Sequence, residues 1–345
     1  MSKQIIAFAP GKMYISGEYA VVHSGHPAII MSIDQGVFVT ISASDTYEIA
    51  SNKYHGEWHK FSINNHYQMI VDASYDFTYT IYAVETLLQY AMPLVIKPFR
   101  IKVKSQLDDA YHQKYGFGSS AAVLVATIMA LSDYFSLALS KDHVFKLAVM
   151  AQIRQSSASS FGDIACSVYQ GTIYYIKGEI DIKQPLSKII DTPWHGFVIE
   201  QLPSIPCLVL VGYSQVSANS IQMVTQVNQY YSHPQFQVFL YQAAHVVNQT
   251  KKAIQQMDCQ SFTKAIEDYR QLLLTLQQLT KVAIEIPNIE LMISLANQAH
   301  AVAKTSGAGG GDCVIVFALS FDIINQCQRL WEDHHIEVVN HVKPI

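Results

Sequence analysis

Four glycines fill positions 307, 309, 310 and 311 of the segment KTSGAGGGDC (304–313), between a helix-patterned block and an apolar run. Ordering glycine costs more backbone entropy than ordering any other residue, so a plain connection seldom uses so many. What such a stretch offers is close approach of peptide N–H groups to a ligand, and a polyphosphate is the usual partner. The pattern has two companions. GFGSS (116–120) stands directly ahead of AAVLVATIMAL, where the free N–H groups and positive dipole end of a helix start attract phosphate. APGKMYISGEYAVVHSGHPAI (9–29) is also glycine-dense and carries Lys12 just after the first strand pattern. Taken alone, GFGSS also reads as an ordinary serine N-cap after a glycine turn. A shared role in phosphate binding requires the three segments to converge in space.

The chain of 345 residues exceeds what one hydrophobic core usually serves, so two domains are expected. Half of it is apolar, 14% is charged and the net charge is −4, which suits a folded globule. That balance lacks the basic footprint of a non-specific nucleic-acid binder, and no nucleic-acid partner is expected. Cys166, Cys207, Cys259, Cys313 and Cys327 are widely spaced without a C-x-x-C pair, so reduced thiols and a cytoplasmic protein are expected. MSKQIIAFAP lacks the apolar core of a secretory signal, and no apolar run is long enough to span a membrane, so no membrane partner is expected.

Strand patterns occupy 5–9, 28–33, 37–44 and 99–105, and FRIKVKS in the last alternates apolar with basic or polar residues. Helical spacing covers 78–92, about 119–135 and about 142–154, and GTIYYIKG after the SSASSFGD turn reads as a strand. Beyond residue 190, FVIE and CLVLVG read as strands, and 218–303 reads as one helix-rich block. CVIVFAL (313–319), the helix IINQCQRLWEDH and the strand IEVVNHV close the chain. Mixed elements without strict alternation favour an α+β class in two parts.

In this order, P-G-K-x-x-x-x-G-E-Y, G-x-G-S-S-A-A and S-G-A-G-G-G-D-C resemble the signature motifs of the GHMP kinase superfamily. The family is named after galactokinase, homoserine kinase, mevalonate kinase and phosphomevalonate kinase. The resemblance runs from residue 9 to about 319, whereas G-x-x-x-x-G-K-[ST] is absent and GFGSSA does not complete G-x-G-x-x-G. It implies an ATP-binding N-terminal domain (1–190) like the second domain of ribosomal protein S5, and a ferredoxin-like C-terminal domain (191–345). The active site would lie in the cleft between them. Tyr19 in GEYAV, FGDIAC (161–166), Asp312 in GGGDC and VGYSQVSANS (211–220) are similar to the bacterial phosphomevalonate kinases. ATP and phosphomevalonate are the substrates this implies; the alternatives are mevalonate kinase, another small-alcohol kinase, or a non-catalytic metabolite-binding relative.

The resemblance also suggests roles. Lys12 would bridge the donor and acceptor phosphates, Lys114 would neutralise ATP or the acceptor, and Asp163 occupies the superfamily's catalytic aspartate position. Gly116, Gly118, Ser119, Ser120 and Ala121 would hold the nucleotide, with Ser120 also touching Mg2+ that arrives with ATP. The glutamate ligand of mevalonate kinases has no counterpart in MAQIRQSSASS. Tyr19 and Ser160 resemble acceptor-contacting positions. Ser214, Ser217 and Ser220 lie where hydroxyls bind an anion or cap a helix. Gly307, Ala308, Gly309 and Gly310 would flank the γ-phosphoryl group, Glu18 would brace its motif, and Asp312 would support Lys12 or Lys304. Among the histidines, His23 with His26 and the pair His334–His335 lack zinc spacing, so no histidine metal site is expected. For a phosphate acceptor, whose second pKa is ~6, no general base is needed, so Asp163 is expected to position Lys12.

Overall fold

Strand β1 (Gln4–Ser16) runs straight through APGKMYIS, so Lys12 lies inside a strand and not after one. The coordinates are a computed structural model that describes residues 4–108, 115–155 and 159–339. β1 pairs antiparallel with β2 (Pro27–Ala43), which joins the two apolar runs read as separate strands. The pairing shifts register between Pro10 and Lys12, where proline has no N–H for the ladder. Three short strands follow that the sequence patterns did not resolve: β3 (Glu48–Ser51), β4 (His59–Ile63) and β5 (Met69–Val71). Helix α1 (Thr78–Tyr90) leads to β6 (Phe99–Ser105), whose Phe99, Ile101 and Val103 are buried while Arg100, Lys102 and Lys104 face out.

Helix α2 (Ser119–Phe135) is buried along most of its length and packs on β1 and β2. α3 (Lys141–Ile153) and α4 (Gly162–Tyr169) pack beside it, and β7 (Thr172–Ile176), α5 (Leu186–Asp191) and β8 (Val198–Leu202) follow. The first sheet has the order β5-β4-β3-β6-β2-β7-β8, with β1 on β2. Because β8 pairs with β7, this sheet takes in the chain to Leu202, past the domain boundary expected at 190.

The second sheet begins at β9 (Leu208–Tyr213). Helices α6 (Ser220–Asn228), α7 (Pro234–Gln255), α8 (Cys259–Thr280) and α9 (Pro287–Gln298) precede β10 (Val302–Thr305). β10 was hidden at the end of the supposed helical block, because AVAKT is too short to show a period. β11 (Cys313–Ala318), α10 (Phe321–Asp333) and β12 (Glu337–Val338) complete a sheet of order β10-β11-β9-β12. Its own core includes Trp331, whose indole N–H donates to the Met292 carbonyl at 2.9 Å. A disulfide joins Cys207 to Cys259 across 52 residues and corrects the expectation of reduced thiols; Cys166, Cys313 and Cys327 are free and buried. Distant cysteines carry no pairing signal until the fold brings them together.

Candidate active site

The close approach of two backbones builds the centre of the site. A Cβ on Gly11 would lie 2.9 Å from the Phe117 carbonyl, so only glycine lets β1 lie against the 116–118 loop. There the Lys12 N–H donates to Phe117 O at 2.9 Å, and the ammonium of Lys12 donates to Gly116 O at 2.7 Å. Lys12 is only 7% exposed. The helix start beside it has Gly118 as its N-cap residue in the left-handed conformation, and no side chain caps it. This overturns the serine-cap alternative: Ser119 and Ser120 lie in the first turn, and the leading N–H groups stay available for an anion.

Asp163 enters from the first turn of α4. A Cβ on Gly118 would lie 3.1 Å from Lys12 Cγ and 3.6 Å from Asp163 Cβ, which makes the three residues neighbours. Burial raises the pKa of Asp163, and the positive charge of Lys12 works against that rise. The turn before it is pinned from three sides. Ser160 Oγ and Tyr14 Oη are 2.9 Å apart, Tyr175 donates its hydroxyl to Ser160 O at 2.7 Å, and Gln152 donates its amide to Ser159 Oγ at 2.8 Å.

The C-terminal segments close over these groups. Asp312 packs against Gly116, where an added Cβ would lie 2.5 Å from Asp312 Oδ2. Its Oδ1 accepts the Ala218 N–H at 3.1 Å, and its backbone pairs with Ser214 and Val216. Asp312 therefore braces the 214–218 loop. Lys304 is fully buried and forms an ion pair with Glu18. The Tyr19 hydroxyl donates to Ala308 O at 2.5 Å, and Ser306 Oγ accepts the Tyr14 N–H at 2.9 Å. The three glycine-rich segments thus meet.

They enclose a cleft of about 680 Å3. Lys12, Tyr19, Gly116, Gly118, Ser119, Ser120, Ser160, Asp163, Ser217, Ser220, Gly307 and Ala308 all line it. Lys114 lies outside the described residues. Other expected contacts are corrected. Ala121 is fully buried in α2, and Ser214 is buried, its hydroxyl donating to Val216 O at 3.3 Å. Gly309 and Gly310 pack against Ile284 and Met223, so they shape the loop from behind and do not face the cleft. Asn219, not a serine, caps α6 through its side chain. Tyr14, Gln152 and Gln155 also line the cleft and were missed. Tyr14 sits two residues after Lys12 and was legible in principle, whereas the two glutamines carried no motif.

Among the described residues no three His, Cys, Asp or Glu side chains group as metal ligands, and no helix is long and apolar enough to cross a membrane. Magnesium keeps several waters and binds through phosphate oxygens with one or two protein ligands. The cleft's donors fit that habit: the Ser120 hydroxyl bonds to no other described residue, and Asp163 lines the same cleft.

Comparison with known proteins agrees with this architecture. Residues 78–171 match the GHMP kinases N terminal domain, and residues 250–335 match the GHMP kinases C terminal domain. The chain is 28% identical to a phosphomevalonate kinase of Streptomyces sp., covering 96% of this chain and 94% of that one. It is also 28% identical to a mevalonate kinase of Pyrococcus abyssi, covering 92% and 90%. A structure of Streptococcus pneumoniae phosphomevalonate kinase in complex with phosphomevalonate and AMPPNP superposes with a TM-score of 0.84. That pair shares 25% identity and covers 99% and 100% of the two chains.

Proposed function

This chain belongs to the GHMP kinases, and on that premise we propose that it transfers the γ-phosphoryl group of ATP to (R)-5-phosphomevalonate, giving ADP and 5-diphosphomevalonate. The observation that carries the reading is Lys12, buried and held between the uncapped start of α2 and the turn of Asp163. Phosphoryl transfer needs little covalent help and depends on alignment and charge neutralisation. An acceptor phosphate oxygen bonds to the γ-phosphorus as the bond to the β,γ-bridging oxygen breaks, and that electron pair leaves with ADP. The first-turn N–H groups of α2, with Ser119 and Ser120, would hold the nucleotide phosphates. Magnesium bound with ATP would neutralise phosphate charge, with the Ser120 hydroxyl as its protein contact. Lys12, released from Gly116 O, would sit between the two anions as they meet. A dianionic phosphate has no proton to lose, so Asp163 would act by aiming Lys12.

A second reading, mevalonate kinase, is favoured by the 28% identity to the Pyrococcus abyssi enzyme. It would use the raised pKa of Asp163 to take the acceptor's hydroxyl proton. Supplying ATP–Mg2+ with each acceptor and following ADP release separates the two. Turnover of phosphomevalonate is expected; strong turnover of mevalonate with none of the phosphorylated compound sinks the first reading.

A further inference from the structure

One half-buried cation near the cleft has no part in the reaction described above. Lys177, just beyond β7, donates to Ser159 O at 2.8 Å and to Val22 O at 3.1 Å, and its Nζ lies 5.1 Å from the centre of the Phe161 ring. Burial lowers its pKa, and no carboxylate among the described residues offsets the effect. Among the described residues it makes no ion pair, unlike Lys304 with Glu18 or Lys146 with Asp142. Both carbonyl owners, Val22 and Ser159, line the cleft on the side of Tyr19 and Ser160. Lys177 and Tyr175 therefore grip consecutive carbonyls, 159 and 160, of the turn that leads to Asp163.

The direction of the grip matters. In a trans peptide the C=O and the next N–H point opposite ways. With Ser159 O held on Lys177, the Ser160 N–H points away from the ammonium, and it bonds to no other described residue. The charge balance of the cleft gives this a purpose. Its described lining holds one cation, Lys12, against the carboxylates of Glu18, Asp163 and Asp312, and Lys304 neutralises the first of these from behind. An acceptor bearing a carboxylate and a phosphate needs more positive potential than that. We propose that Lys177 is a positioning residue for the acceptor's anionic end, aiming the Ser160 N–H and hydroxyl into the cleft and adding half-buried positive charge to a described lining that holds only Lys12. This rests on the acceptor being an anion such as phosphomevalonate or mevalonate.

The test compares Lys177→Gln, which keeps an amide donor for the carbonyls but drops the charge, with Lys177→Arg, which keeps both. At saturating ATP, Lys177→Gln is expected to raise the acceptor KM about tenfold or more. Its kcat and its KM for ATP should stay within threefold of wild type. Lys177→Arg should hold the acceptor KM within threefold. An unchanged acceptor KM in Lys177→Gln overturns the proposal, as does equal damage to kcat and to both KM values. Should the Gln variant fail to fold, the Arg variant decides alone: a tenfold rise in its acceptor KM overturns the claim, and a KM within threefold supports it. Wild-type turnover of mevalonate without phosphomevalonate overturns the proposed acceptor, and the Lys177 comparison is then read on mevalonate's carboxylate. Turnover of neither compound overturns both.

Discussion

Replacing Gly116 by alanine tests whether the loop at 116–118 and the C-terminal glycine loop form one unit. Gly116 has φ +82°, and a methyl there would lie 2.5 Å from Asp312 Oδ2, 2.6 Å from Cγ and 2.7 Å from Cβ. Asp312 cannot swing aside freely, because its backbone carbonyl accepts the Ser214 N–H at 2.8 Å and its N–H donates to Val216 O at 2.7 Å. The whole side chain would have to move, straining the Oδ1 bond to the Ala218 N–H. A matched control exists in Gly25, with φ +86° and nothing within 4 Å of an added Cβ. Gly25→Ala costs only the left-handed backbone, about 1 kcal/mol. Gly116→Ala adds about 1–3 kcal/mol of overpacking and about 1.5 kcal/mol for a weakened bond to a charged group. An excess near 3 kcal/mol over the control is expected, part of it taken up by the loops parting. Urea unfolding midpoints measure the stability share, and the KM for ATP measures the share lost to parting, where about 1.4 kcal/mol is tenfold. If Gly116→Ala matches Gly25→Ala in both, the two loops do not act as one unit and the packing argument fails.

Lys12→Met is expected to lower kcat about a thousandfold, as removal of a transition-state charge contact does, while Asp163→Asn costs only about tenfold because it acts through Lys12. Equal, near-total losses in two folded variants would contradict that ordering. Lys304→Met strands the Glu18 carboxylate in the interior and should cost about 3–5 kcal/mol. The double variant with Glu18→Gln should regain at least half of it, and thermal unfolding of both checks this. His23 is stacked on Tyr231 at 4.6 Å, and burial pushes its pKa down from 6.5 to about 4. Between those values the unfolded chain takes up a proton the folded one refuses, so stability falls as pH drops from about 6.5 to 4. The full shift would amount to ~3 kcal/mol, and partial exposure reduces it to about 1–2 kcal/mol. His23→Phe keeps the stack and should flatten unfolding stability over that window; an unchanged slope would refute the assignment.

Much of the local structure was legible because local rules govern it. The helix read at about 119–135 is α2 (Ser119–Phe135), since an apolar run with glycine ahead of it leaves little choice. PGK, GFGSS and GAGGGD identified themselves because close backbone approach demands glycine whatever surrounds it. Lengths and edges read less well. β1 and β2 are long because they pair with each other, and β10 exists because β11 supplies its hydrogen bonds. No window of sequence contains those partners.

The chain's own residues determined that three glycine-dense segments belong together, and that Lys12 and Asp163 belong with them. Only the folded chain decided which glycines face the cleft and which merely let Ile284 and Met223 pack behind it. It alone paired Lys304 with Glu18, linked Cys207 to Cys259 and left Lys177 with no ion pair among the described residues. The reason is physical: backbone conformation and helix starts are set by neighbours in sequence. Desolvated charge, close packing and disulfide geometry are set by neighbours in space that lie far apart in sequence, as with Lys304 and Glu18, 286 residues apart.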